Sequence, residues 1–271
     1  KRIMLKIIDI IQDKLRVKYN TKEKERLIKL QALKFRKLQY FIYRLFFGHN
    51  LKALSKLYYT DKWGAHKYAT HYQSYFSKLK NKKLNLLEIG IGGYEDPEMG
   101  GGSLRVWRTY FYRSCIYGID IYDKSVHEEK RIKTFKGSQV DEKFLSKVVK
   151  NIGGIDIIID DGSHVNDHVI FSFKYLFPIL DDNGLYIIED TQTSYWNHAG
   201  GTSENFNSKS TIMGFFKSLV DGLNYEELEI ENYEANYYER NIVSIHFYHN
   251  LIFIQKGLNN EGSNLVVNGK I

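Results

Sequence analysis

Short apolar runs separated by longer polar stretches dominate the chain from residue 84 onward. The runs are rich in Ile, Leu and Tyr, which favour β-strands when turn residues bound them. This pattern predicts strands at 84–91, 115–121, 132–136, 155–160, 184–189, 242–248 and 251–257. The intervals between the earlier strands are long enough for helices, most clearly at 141–151 and 166–179.

Strands that alternate with helical intervals predict an α/β fold, because parallel strands need crossover helices and the helices cover both faces of the sheet. The last two apolar runs differ, since only His249 and Asn250 separate them. So short a connection predicts an antiparallel hairpin. The sequence therefore predicts a Rossmann-like, mostly parallel sheet of seven strands that ends in a C-terminal antiparallel hairpin.

A basic helical leader, residues 1–56, precedes the predicted main domain at 57–271. Apolar residues recur at helical spacing over 3–17 and 22–48, so each segment is expected to form a helix and to pack its apolar stripe against protein or another copy of the chain. The net charge of the whole chain is +7, yet residues 1–56 hold sixteen Lys/Arg and four Asp/Glu, a net +12. The remainder therefore carries −5.

The basic leader could contact nucleic acid, an anionic membrane surface or an acidic partner, or simply present a solvated face. No run of eighteen apolar residues occurs, and Cys115 is alone, which excludes an intramolecular disulfide framework and fits a reducing compartment. We expect no signal peptide and a cytoplasmic protein, with the inner face of the membrane as one place for the leader to act. The first residue is Lys1 rather than Met, so residues upstream are expected to be missing or trimmed.

A glycine-rich segment follows the first predicted strand, within LLEIGIGGYEDPEMGGGSLRVW (86–107). Gly90 permits a tight turn and a close approach of backbone to a ligand, although such a turn can also merely connect a strand to a helix. Glu88 suits a cofactor that carries a positive amino group better than one that offers a phosphate. Asp120 ends the second strand, where it could accept hydrogen bonds from ribose hydroxyls. It lies 32 residues after Glu88, further than the dinucleotide fingerprint expects, and no Walker A motif is present.

Two pairs of acids stand at the carboxyl ends of neighbouring strands: Asp160 with Asp161, and Glu189 with Asp190. Acids brought together in this way repel one another unless a hard cation such as Mg²⁺ binds them, although solvated acids in loops are also common. The residues alone do not choose between Asp160 and Asp161. His164 follows three residues after Asp161, where it could take a proton from a metal-bound hydroxyl. His168, four residues later, is expected to pack or to cap a helix.

Several blocks in the same order resemble the sugar O-methyltransferases of macrolide biosynthesis, which are class I S-adenosylmethionine-dependent methyltransferases. The resemblance runs from about Tyr59 to Gly257 and does not include residues 1–55. It is carried by TDKWGAHKYATHY (60–72), the glycine-rich segment, YGIDIYDKS (117–125), IDDGSHVNDH (159–168), LYIIEDTQTSYW (185–196) and SIHFYHNLIFIQKG (244–257).

The resemblance implies S-adenosylmethionine and Mg²⁺ as cofactors and assigns roles to particular residues. Asp161, Glu189 and Asp190 would be the metal ligands, with His164 as general base. Cofactor-binding roles fall to Glu88, Gly90 and Asp120, with Ser103 and Gln139 as further candidates. The TDKWG block (60–64) would close over the active site or pack as an ordinary loop.

The reaction implied is transfer of a methyl group to a sugar hydroxyl of a glycosylated natural product, a surface polysaccharide or its precursor. Tyr195 and Trp196 could stack on the sugar ring, or belong to a packed loop. A homo-oligomer is expected, and peripheral association with a membrane through the leader is an option. Two alternatives stay open: a nucleic-acid-binding or RNA-modifying protein, which the acidic body argues against, and a methyltransferase of a catechol-like acceptor.

Overall fold

A computed structural model of the protein describes residues 36–271. The predicted helix at 3–17 and the first part of the one at 22–48 lie outside the described residues. The described part of the second segment is helical up to Phe47 and ends there, as predicted to within one residue. None of the described helices is long and apolar enough to cross a membrane.

The described chain begins with three helices, and strands follow from residue 85 onward at the positions that the apolar runs predict. The helices are α1 Arg36–Phe47, α2 Leu51–Leu57, α3 Tyr68–Phe76, α4 Gly102–Tyr110, α5 Glu142–Ile152, α6 Asn166–Leu176, α7 Ile212–Lys217 and α8 Tyr237–Asn241. The strands are β1 Asn85–Ile89, β2 Cys115–Asp120, β3 Ile132–Lys136, β4 Ile155–Asp160, β5 Leu180–Glu189, β6 Ile242–Tyr248 and β7 Leu251–Lys256.

The seven strands form one sheet in the order β3-β2-β1-β4-β5-β7-β6. β4 pairs in parallel with both β1 and β5, whereas β7 is antiparallel to β5 and to β6. These pairings confirm the predicted mostly parallel sheet with an antiparallel hairpin at its C-terminal end. The hairpin turns at Asn250, which has a φ of 59°. β5 begins at Leu180 rather than near 184, because it includes the polar residues 181–183, which resemble a loop in sequence.

The described chain divides into two compact units. One contains Leu84–Gly90, Tyr117–Ile121 and Phe135–Ile271, and its core packs apolar residues of the sheet against α5, α6 and α7. Phe173 of α6 lies at the centre of this core, with its ring 5.2 Å from that of Tyr186 on β5. This unit contains the ends of β4 and β5, where the predicted metal-binding acids lie.

The other unit contains residues 36–83, Ile91–Ile116 and Tyr122–Thr134 among those described. Its core is aromatic, since the ring of Trp107 on α4 lies 5.0 Å from Tyr72 and 5.6 Å from Phe76. α2 packs against α4 in the same unit. The predicted boundary between residues 56 and 57 falls inside α2 and stays a prediction.

Candidate active site

The paired acids at the ends of β4 and β5 separate into buried and accessible members. Asp160 and Glu189 end their strands with 0% and 1% of their surface exposed, whereas Asp161 and Asp190, one residue further on, are half-buried. The parallel register pairs Asp160 with Ile188, so Asp161 and Glu189 occupy the next level along the two strands. Side chains alternate along a strand, so adjacent acids point to different environments.

Asp161, His164 and Asp190 converge at this edge of the sheet. His164 Nε2 lies 3.8 Å from Asp161 Oδ1 and 3.7 Å from Asp190 Oδ2, and the ligand atoms of all three residues lie within 4.8 Å of one another. Both distances are longer than a hydrogen bond. Glu189 is not among these three residues, although it stands immediately before Asp190.

The donor set fits a hard divalent cation. Mg²⁺ prefers carboxylate and water oxygens and is commonly held by one or two protein carboxylates, which leaves positions open for water or substrate. Asp161 and Asp190 offer two such carboxylates within 4.8 Å of each other and of a ring nitrogen of His164. The third member of the cluster is an imidazole, which can either coordinate an ion or accept a proton.

His164 and Asp190 both adopt backbone conformations that L-residues rarely occupy. Their φ angles are 56° and 55°, in the left-handed region. Such residues cost stability and persist only where the surrounding structure holds them, so they are often found at functional sites. His164 Nδ1 is buried and has no hydrogen-bond partner within residues 36–271. The described protein therefore does not dictate which ring nitrogen carries the proton.

Asp160 belongs to the interior behind the cluster. It accepts hydrogen bonds from Gln139 Nε2 at 3.3 Å and from the Tyr186 hydroxyl at 3.4 Å. Burial raises the pKa of Asp160 to about 7, despite the hydrogen bond from the Gly162 backbone. Burial also raises the pKa of Tyr186 well above its usual value, so its hydroxyl keeps its proton and donates a hydrogen bond to Asp160. Asp161, not Asp160, lies in the cluster with His164.

The predicted cofactor residues of β1 and β2 occupy the carboxyl ends of their strands. Glu88 is fully buried in β1, and Asp120 is the half-buried last residue of β2. Gly90 has a φ of 88°, and a Cβ placed there would lie 2.0 Å from the carbonyl oxygen of Asp161. Any side chain at this position would therefore collide with the backbone of Asp161. Glycine is therefore required here by the close approach of the protein's own backbone rather than by that of a ligand.

Ser103 is the second residue of α4 and belongs to the other unit, where it is largely buried. The glycine-rich segment before it is held by Lys124, whose buried ammonium group donates to the carbonyl oxygens of Tyr94, Asp96 and Met99 at 2.7, 2.7 and 3.2 Å. Three charge-assisted hydrogen bonds define the course of a segment that has few apolar side chains.

The loop after Asp190 carries the predicted aromatic residues. Tyr195 lines a cavity of about 640 Å³. The other residues that line this cavity are mostly polar: Asn197, His198, Gly201, Thr202, Ser203 and Glu204. Trp196 is 45% exposed, and its ring stacks on that of His198 at 5.6 Å.

Asn166, two residues after His164, anchors this loop. Its amide nitrogen donates to the carbonyl oxygens of Thr193 at 3.0 Å and Ala199 at 2.8 Å, and its Oδ1 accepts from the backbone of Ile212 at 2.7 Å. The sequence interpretation did not single out Asn166. Its place in the matched block IDDGSHVNDH, beside the predicted base, is the signal that could have done so.

No protein-family model matches the chain. It is 48% identical to demethylmacrocin O-methyltransferase of Streptomyces fradiae and 46% identical to mycinamicin VI 2''-O-methyltransferase of Micromonospora griseorubida, over 215 residues each. These residues are 79% of this chain and 54% of each relative. It is 44% identical to 8-demethyl-8-alpha-L-rhamnosyl tetracenomycin-C 2'-O-methyltransferase of Streptomyces olivaceus, over 74% of this chain and 53% of that enzyme.

Solved structures of MycE methyltransferase from the mycinamycin biosynthetic pathway match the fold. The complex with Mg and SAH gives a TM-score of 0.76 at 46% identity, over 79% of this chain and 55% of that one. The complex with Mg, SAH and mycinamycin VI gives 0.75 at the same identity and coverage. The chain spans about half the length of these relatives.

Proposed function

Because this chain is a homologue of sugar O-methyltransferases and has their class I methyltransferase fold, we propose that it methylates a sugar hydroxyl with S-adenosylmethionine in a metal-dependent reaction. The observation that carries the proposal is the convergence of Asp161, His164 and Asp190 at the ends of two parallel strands. Ligands of open α/β sheets bind at this edge.

Asp161, Glu189 and Asp190 are the proposed ligands of Mg²⁺. Asp161 and Asp190 lie in the cluster with His164, and Glu189 precedes Asp190 at the end of β5. When bound there, Mg²⁺ would make a coordinated sugar hydroxyl more acidic. Without a cation the two half-buried carboxylates repel each other, which favours binding of a positive ion.

His164 is the proposed general base. Nε2 lies 3.8 Å from Asp161 Oδ1 and 3.7 Å from Asp190 Oδ2, which supports it as the ring nitrogen that takes the proton of a hydroxyl bound beside these carboxylates. The hydroxyl oxygen would then form its bond to the methyl carbon as that carbon's bond to sulfur breaks, with SAH as the leaving group, and the imidazole would keep the proton until the product leaves. For this role the neutral ring carries its hydrogen on Nδ1.

Glu88, Gly90 and Asp120 are the proposed binding residues for S-adenosylmethionine, which supplies an electrophilic methyl group. Asp120 at the end of β2 would accept hydrogen bonds from the ribose hydroxyls, and the Glu88 carboxylate would complement the amino group. Ser103 and Gln139 stay candidates that the resemblance implies.

The cavity beside Tyr195 is the proposed place for the acceptor. Hydroxyl and amide groups line it, which suits a ligand rich in hydroxyl groups, and its volume falls within the range usual for small-molecule sites. Tyr195 offers an aromatic face there, and the exposed ring of Trp196 follows it. The names of the relatives motivate a sugar on a natural product as the first acceptor to test.

The test is methyl transfer to a panel of glycosides, assayed with S-adenosylmethionine in Mg²⁺ or in EDTA. We expect activity with Mg²⁺ and a loss of at least about 100-fold in EDTA, since metal and base act on the same hydroxyl. Asp161→Asn should reproduce this loss. Asp167→Asn, on an exposed acid in the first turn of α6, is the matched control and should keep full activity. Equal rates in EDTA and Mg²⁺ would contradict the metal-dependent mechanism.

A further inference from the structure

Gln139 precedes α5 and is 7% exposed, and both ends of its amide are engaged inside the protein. Oε1 accepts a hydrogen bond from the backbone of Ser163 at 2.8 Å. Nε2 donates to Ser172 Oγ at 2.9 Å and to Asp160, whose nearer oxygen is 3.3 Å away. Asp160 and the Ser163 N–H require opposite ends of the amide, so they fix its orientation.

The segment that Gln139 touches is the turn from Asp161 to His164. The Gln139 amide accepts a hydrogen bond from the backbone N–H of Ser163 and donates one to the Asp160 carboxylate, so it binds the turn on both sides of Asp161. Gly162 packs against the same amide, because a Cβ there would lie 2.3 Å from Gln139 Oε1. The turn leads directly into His164, whose φ is 56° and whose conformation therefore needs support from its surroundings.

We propose that Gln139 is a positioning residue that holds Asp161 and His164 in their converged arrangement. The expected effect on catalysis rests on the proposed function, whereas the effect on the conformation of the turn does not. Each hydrogen of the amide nitrogen has an acceptor within the protein, so the amide has little capacity left for a cofactor. Positioning and cofactor binding predict different kinetics.

Gln139→Met keeps the length and most of the volume of the side chain and removes its hydrogen bonds. We expect kcat to fall about 10- to 100-fold, since displacement of catalytic groups by ~1 Å can have an effect of this size. The KM for S-adenosylmethionine and the Kd for SAH, measured by calorimetry, should stay within about twofold. A rise of tenfold or more in the Kd for SAH with kcat unchanged would overturn the inference and make Gln139 a cofactor residue.

Two further variants separate positioning from general loss of stability. Gly162→Ala keeps Gln139 but drives its amide away from the turn, so it should reproduce the fall in kcat. Ser172→Ala removes a buried partner of Gln139 and leaves the bonds to Asp160 and Ser163, so kcat should stay within about twofold. Equal losses of kcat in Ser172→Ala and Gln139→Met would contradict positioning through the turn.

A readout that does not need turnover is the NMR signal of His164 in protein with ¹³C-labelled histidine, assigned by its loss in His164→Ala. Gln139→Met and Gly162→Ala should shift or broaden this signal, and Ser172→Ala should not. An unchanged His164 signal in Gln139→Met overturns the inference whatever the enzyme does. If the wild-type protein methylates none of the glycosides, the proposed function fails and the NMR result still decides the role of Gln139.

Discussion

At the scale of single residues, the site depends on which side of a strand end each acid faces. Asp160 is buried and bonded to Gln139 and Tyr186, whereas Asp161 lies beside His164. The same division separates Glu189 from Asp190 on β5. The buried acid of each pair therefore belongs to the protein interior, whereas the accessible acid lies in the cluster with His164.

The residue-scale prediction concerns His164. His164→Ala should lower kcat about 10²- to 10⁴-fold, the range usual for loss of a general base. The Kd for SAH should stay within about twofold, because His164 is not among the proposed cofactor residues. His249→Ala, at the exposed β6–β7 turn, is the matched control. An active His164→Ala variant would exclude His164 as the base.

At the scale of elements, the turns after β1 and β4 are packed against each other. Gly90 N donates to Ile119 O, Asp161 N donates to Ile89 O, and the Asp161 carbonyl occupies the space that a side chain at Gly90 would need. The position of the proposed metal carboxylate is thus set partly by a glycine of the proposed cofactor turn.

Gly90→Ala is the element-scale prediction. It would combine an unfavourable φ with a collision against backbone, so unfolding should become easier by roughly 1–3 kcal/mol or more and both SAH and Mg²⁺ binding should weaken. Gly153→Ala is the matched control, since Gly153 has a φ of 85° and nothing within 4 Å of an added Cβ. Thermal unfolding and calorimetry measure both effects. Equal changes in the two variants would show that the collision has no consequence.

The elements themselves follow from the sequence more readily than their contacts do. The apolar runs mark the strands because burial on both faces of the sheet leaves β4 with Ile at 157–159. The start of β5 at Leu180 could not be predicted, since the polar residues 181–183 are of types that are common in loops. The choice of Asp161 over Asp160 as the metal ligand needed the resemblance, because the sequence does not show which of two adjacent acids faces the site. The contacts of Gln139 join residues 21 to 33 positions apart, and no local pattern encodes them.

At the scale of the whole molecule, the described part of the leader is integrated into one of the two units. α2 buries Leu51, Leu54 and Leu57 almost completely, and it packs against α4. A division of the chain after residue 56 would cut this helix. The structure therefore describes how the last part of the leader packs, and the role of the leader's basic charge stays a prediction.

The whole-molecule prediction compares two shortened chains, 36–271 and 57–271. Burial of a Leu side chain stabilises the folded state by roughly 1.5–3 kcal/mol, and the shorter chain lacks both Leu51 and Leu54. The chain 57–271 should therefore unfold at a lower temperature or fail to fold. Circular dichroism during heating measures the difference. Equal melting temperatures would support an independent domain that begins at residue 57.

Asn166 has a consequence for engineering. Asn166 helps to hold the loop that carries Tyr195 and Trp196, because its side chain donates to the carbonyl oxygens of Thr193 and Ala199. A chimaera that imports only this loop from another enzyme to alter acceptor choice would bring the carbonyl oxygens without the side chain that donates hydrogen bonds to them. Its graft should therefore extend back to Asn166 and forward to Ile212, so that donor and acceptors arrive together.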